Sequence, residues 1–121
     1  MPSERDKTNE NPYRRVRMEG TKDGLIAFIT ESQIVTEPEV SELGSDLLSL
    51  VQLATRIDMP LFLNFREVER ISSALIGTVV VANKLLRAAG LTLKLCEMSP
   101  EVEKVFRRLG GGGAGSMALL K

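Results

Sequence analysis

From residue 36 to residue 109 the spacing of the apolar residues switches back and forth between the period of a helix and that of a strand. No other feature of the chain limits its fold as much. Val40, Leu43, Leu47, Leu50, Val51 and Ala54 recur at helical spacing, with Glu39, Glu42 and Asp46 between them, and predict a helix over residues 37–55. Thr36 precedes Glu39 by three positions as in a capping box, and Pro38 suits a first turn. Residues 61–65, LFLNF, are almost continuously apolar and too short for a helix, so they read as a central strand covered on both faces. Leu75, Val79, Ala82, Leu86 and Ala89 form a second helical stripe, widened by Ile76 and Val80, over residues 73–89, and Gly90 stops it. The triple valine Val79, Val80, Val81 reads as core on two sides, and an exposed Val80 would mark an interface. Leu91, Leu93 and Leu95 then alternate with Thr92, Lys94 and Cys96, as in a strand with one face in the core. Ser99, Pro100 and Glu101 open a third helix that carries Val102, Val105, Phe106 and Leu109.

Upstream, residues 13–19 and 25–30 flank GTKDG, whose Asp23-Gly24 pair is a turn signal, so a hairpin is expected there. Strands separated by helices require right-handed crossovers and a partly parallel sheet. The expected class is a small α/β sandwich. A length of 121 residues suits one domain. Residues 1–12 are polar and alternate in charge, and are expected to be a flexible N-terminal tail; residues 13–109 form the domain, and residues 110–121, with the run GGGGAG, a Gly-rich C-terminal tail.

Several function classes are excluded early. Lys plus Arg equals Asp plus Glu at 16 each, so no net field draws the chain to nucleic acid or to anionic lipid. Asn83 and Lys84 break the longest apolar run, which falls short of the roughly 18–20 residues that a membrane span needs. No charged segment followed by an apolar run opens the chain as a secretory signal would, and the single cysteine, Cys96, has no partner for an intramolecular disulfide. A cytoplasmic location is expected. The absence of histidine removes Ser-His and Cys-His pairs, and with one cysteine it leaves no structural zinc site. Glu37, Glu39, Glu42 and Asp46 read as the solvated side of an amphipathic helix rather than as an active site. Cys96 reads as a small buried hydrophobe at a strand end. The glycines at 110, 112 and 115 match a dinucleotide-loop spacing but follow a helix, whereas that loop leaves a strand and opens a helix; they read as a helix cap and linker. No enzyme activity, cofactor or metal is expected.

What remains is the stretch VERISSALIG, in which a strand-like ending passes two serines and becomes a helix. One serine oxygen at a helix start satisfies a free backbone amide. The other hydroxyl would stand at the positive end of the helix, where a phosphate is tolerated because free amides and the macrodipole favour negative charge. Phosphorylation there would add roughly −1.5 to −2 charge without breaking the helix. The fold would survive while its surface changed.

The strand, connector and helix start LFLNFREVERISSALIG, followed by LRAAGLTLKLCEMSPEVEKVFRRLG, resemble the STAS domain family, the anti-sigma factor antagonists of bacterial regulation. The likeness runs from about Leu25 to Leu109. It implies a mixed sheet of four to five strands with helices packed against it. It also implies a regulatory module that docks a kinase-type anti-sigma factor and is switched by phosphorylation at the serine opening the second helix, by position Ser73. The chain departs from the family pattern at Ser72, where an acid is usual, at Ala74, at Leu75, which stands for a glycine, and at Ser32-Gln33-Ile34-Val35, where acids are usual. Partner contacts are expected from Ser72, Ser73, Leu75, Ile76, Gln33 and Val35. The other role known in the family is an unphosphorylated scaffold that assembles with copies of itself or with larger regulators.

Overall fold

In the computed structural model, residues 12–109 and 118–120 are described. The hairpin forms as expected: β1 (Val16–Thr21) pairs antiparallel with β2 (Gly24–Ile29). Gly24 is required at the turn, because a Cβ there would stand 2.7 Å from the carbonyl oxygen of Pro60. A two-residue strand β3 (Gln33–Ile34) follows, then helix α1 (Glu37–Ile57), β4 (Leu61–Asn64), a second two-residue strand β5 (Arg70–Ile71), helix α2 (Ser73–Ala88), β6 (Leu93–Cys96), helix α3 (Pro100–Leu109) and β7 (Ala118–Leu120).

The main sheet has the order β1-β2-β4-β6-β7, with every pair after the hairpin parallel. Successive right-handed crossovers that step in one direction put their helices on one face. The burial pattern agrees. Leu25, Ala27, Ile29, Leu61, Leu63, Leu93 and Leu95 are buried under the helices, while Phe62 and Lys94 on the other face are half-buried, with the Lys94 ammonium over the Phe62 ring at 5.5 Å. The central strand β4 is therefore covered by helices on one face only, not on both. Residues 118–120, inside the segment read as a C-terminal tail, pair in parallel with β6. Residues 1–11, 110–117 and 121, which hold most of both expected tails, lie outside the described residues.

The helix starts follow their local chemistry. Thr36 caps α1 by accepting from the Glu39 amide at 3.3 Å, and the Glu39 carboxylate accepts from the Thr36 and Val35 amides, each at 2.9 Å. Those backbone bonds, that of Thr36 first, hold the Glu39 carboxyl below the usual glutamate value. A depressed folded-state pKa stabilises the protein above the unfolded value and is lost as pH falls through the folded one. Glu39→Ala is thus expected to lower stability at neutral pH, and its deficit to close in acid; urea melts across pH check this. A deficit that persisted unchanged in strong acid would place its source outside the carboxylate. Ser99 caps α3, accepting from the Val102 amide at 3.2 Å.

Two sequence expectations fail here. The first strand begins at Val16, not at Tyr13, because the preceding backbone is held by a side chain. The Arg14 and Arg15 amides donate to the Asp46 carboxylate, the latter at 2.6 Å. Asp46 is accordingly only 5% exposed and is not one of the solvated acids of α1. The second failure lies in the triple valine: Val79 is fully buried and Val80 half-buried, but Val81 is 51% exposed.

Candidate functional site

The junction between β5 and α2 is fixed from behind by the small parallel sheet of β3 and β5, in which Gln33 pairs with Arg70 and Ile34 with Ile71. The Ser72 amide continues that ladder, donating to the Ile34 carbonyl at 3.0 Å. Ser72 then takes the extended dihedrals of an N-cap residue, φ −97° and ψ 164°, and α2 begins at Ser73. The expected serine cap does not form. Ser72 makes no side-chain capping bond, and its Oγ is buried without a protein hydrogen-bond partner. Its backbone is committed to both elements, through the ladder to Ile34 and through its carbonyl to the Leu75 amide at 3.1 Å.

Ser73 is exposed at the first helical position. It looks into a groove of about 470 Å³ lined by Val35, Glu37, Val40, Ser41 and Gly44 on one side and by Ser72, Ser73, Ala74 and Thr78 on the other. The groove exists because α1 and α2 start side by side and meet through small residues. A Cβ added to Gly44 would stand 3.2 Å from Thr78 Cγ2. Apolar Val35, Val40 and Ala74 alternate with hydroxyl groups, and Glu37 is the one charged residue in the lining. Among the described residues no lysine or arginine lines it. Such a surface offers packing and hydrogen bonds to a protein partner.

The expected contact residues divide. Ser72, Ser73 and Val35 line the groove, and Gln33 is exposed on β3 outside it. Leu75 and Ile76 are 0% and 4% exposed, so their side chains belong to the core and not to a contact surface. Leu75, standing where the family has glycine, therefore leaves the first turn of α2 open. Sequence reasoning did not place Glu37, Val40, Ser41, Gly44, Ala74 or Thr78 among the contacts. The small residues Ser41, Gly44 and Ser45, three or four apart along one side of α1, were the available signal that a second helix comes close. Cys96 lies at the end of β6 with its thiol pushed up, mainly by burial and then by Glu97, and it donates to the Leu63 carbonyl at 3.7 Å. It is a packed thiol away from the groove. Among the described residues no group of three or more His, Cys, Asp or Glu is placed to hold a metal, and no helix is long and apolar enough to cross a membrane.

Among solved structures, a proposed anti-sigma factor antagonist from Thermotoga maritima is similar over 88% of this chain and 86% of its own, with a TM-score of 0.69 at 14% identity. RsbS of Moorella thermoacetica, in a variant with glutamate in place of a serine, is similar over 88% and 86%, with a TM-score of 0.67 at 19% identity. The anti-sigma factor antagonist SpoIIAA in its unphosphorylated form is similar over 88% and 87%, with a TM-score of 0.63 at 15% identity. At such identities the likeness is one of fold. No curated protein matches the sequence. The family model described as STAS domain matches residues 20–111, which hold β2, β4 and β6 of the main sheet, the three helices and the groove. The chain belongs to the STAS domain family.

Proposed function

We propose that the chain is an anti-sigma factor antagonist that captures a kinase-type anti-sigma factor in the groove at the start of α2 and releases it when Ser73 is phosphorylated. The observation that carries this reading is exposed Ser73 at the mouth of a groove that, among the described residues, has no cationic lining. A phosphate on Ser73 would be tolerated by the helix start. It would find Glu37 but no lysine or arginine among its groove neighbours. It would therefore stay unpaired and face the partner, and desolvating it on docking would cost roughly a hundredfold or more in affinity. Similarity to SpoIIAA, which has been described in an unphosphorylated form, and to a serine-to-glutamate variant of RsbS lends support.

The test is capture from a native bacterial lysate with three baits: wild type, Ser73→Ala and Ser73→Asp. Wild type and Ser73→Ala are expected to retain a kinase-like regulator identified by mass spectrometry, and Ser73→Asp to lose it at an unchanged melting temperature, since an acid suits the first turn. Incubation with ATP and the captured regulator should then add phosphate to wild type and not to Ser73→Ala. Equal capture by all three baits would reject the switch.

A further inference from the structure

Beyond Thr78 the groove between α1 and α2 continues to the far ends of both helices. Its middle part, about 300 Å³, passes Leu48 and Val81, and its last part, about 650 Å³, passes Leu48, Gln52, Arg56 and Leu85. Leu48, Val81 and Leu85 are 46%, 51% and 45% exposed, so one apolar stripe bridges the two helices in solvent. Stripes of this kind mark surfaces that become covered.

The charges at the two ends of the stripe say what would cover it. Along α1 the acids Glu37, Glu39, Glu42 and Asp46 come first, and the only base, Arg56, is in the last turn. Glu42 is already paired with Arg15, Asp46 with the Arg14 and Arg15 amides and Glu39 with the Val35 and Thr36 amides, so Glu37, which lines the groove, defines the acidic end. Along α2 the only charged residues are Lys84 and Arg87, both near its end. Because the helices run in the same direction, the stripe is acidic where they begin and basic where they finish, with Asp58 following Arg56 at the end of α1. A surface with an apolar middle and opposite charges at its ends is complementary to itself after a two-fold rotation. We propose that this face binds a second copy of the chain, with the helices antiparallel across the interface, so that Arg56 and Lys84 of each copy approach Glu37 of the other and the leucines and Val81 meet at the axis.

Sedimentation equilibrium of the purified full chain tests this. Wild type is expected to dimerise with a Kd on the order of micromolar, and Leu85→Ser, an exposed position, to raise that Kd at least about tenfold at an unchanged melting temperature. A charge exchange supplies the specific readout. Arg56→Glu with Lys84→Glu in one chain, and Glu37→Lys in another, should each weaken self-association, whereas an equimolar mixture should form heterodimers, because both end contacts then join opposite charges. A wild type that stays monomeric well above micromolar concentration overturns the inference, as does a dimer indifferent to Leu85→Ser or a mixture with no gain. Monomeric wild type whose lysate capture of the kinase-like regulator is lost with Leu85→Ser would assign the stripe to that regulator instead. Only purified chain enters the dimer measurement, so its failure leaves the Ser73 reading intact.

Discussion

Phe106→Ala is expected to destabilise the domain by about 3–5 kcal/mol, the usual cost of emptying a buried aromatic site. Phe106 is fully buried on α3 and meets the equally buried Phe65, just past the end of β4, edge to face at 5.6 Å between ring centroids. That contact, with Val102 one turn earlier, is how a ten-residue helix is fixed to the sheet. The exposed flank of α3 is charged, with Glu101, Lys104, Arg107 and Arg108, while half-buried Val105 adds a smaller apolar contact. Truncating the ring also removes an aromatic pairing worth about 0.5–1.5 kcal/mol beyond the buried area. Since a domain of this size has only about 5–15 kcal/mol of stability, the urea midpoint should fall by a large fraction and the melting temperature by more than about 10 °C. A shift below about 1 kcal/mol would mean that α3 contributes little to the cooperative unit. Leu85→Ser, by contrast, removes an exposed side chain and should leave both midpoints near wild type.

How much of this was legible in the sequence depends on range. The three helices and β6 followed from apolar period, β4 from a short continuous apolar run, and the β1–β2 hairpin from its Asp23-Gly24 turn signal. β3 was invisible because two residues define no period, and β5 was read only as a strand-like ending without a partner; they exist through each other, 37 positions apart in the Gln33 to Arg70 pair (70 − 33). Yet this small sheet is what presents Ser73. Val81 was misread although the information was present, since two helical steps from buried Val79 carry it round to the opposite side of α2. Leu75 and Ile76 show the converse. Their place in the apolar stripe already assigned them to the core, and the family position beside the serine drew them wrongly onto the contact surface. Ser72 was read as a cap from residue type alone, whereas its Oγ is buried and makes no capping bond.

Asp46→Ala should be the most damaging change among the acids of the chain, at about 2–3 kcal/mol, because hydrogen bonds to a charged acceptor contribute more than neutral ones and the donors left behind are partly buried. Its carboxylate accepts from the amides of Arg14 and Arg15, more than thirty residues away, and this pins the entry to β1 against α1. Arg15 reinforces the same contact from outside, bonding Glu42 at 2.8 Å and Glu31 at 3.2 Å, but those groups are partly solvated and their ion pairs should each contribute about 1 kcal/mol or less. Asp46→Asn distinguishes charge from shape. An amide can keep one acceptor but turns a donor toward a second backbone N–H, so it should recover little of the loss. Hydrogen exchange locates the effect: protection at Arg14, Arg15 and the first residues of β1 should fall by more than protection in β4 or β6. The groove lies on the other side of α1, so folded Asp46→Ala protein should still capture whatever wild type captures through Ser73. A variant that lost capture without losing protection would mean instead that the N-terminal segment itself belongs to the docking surface.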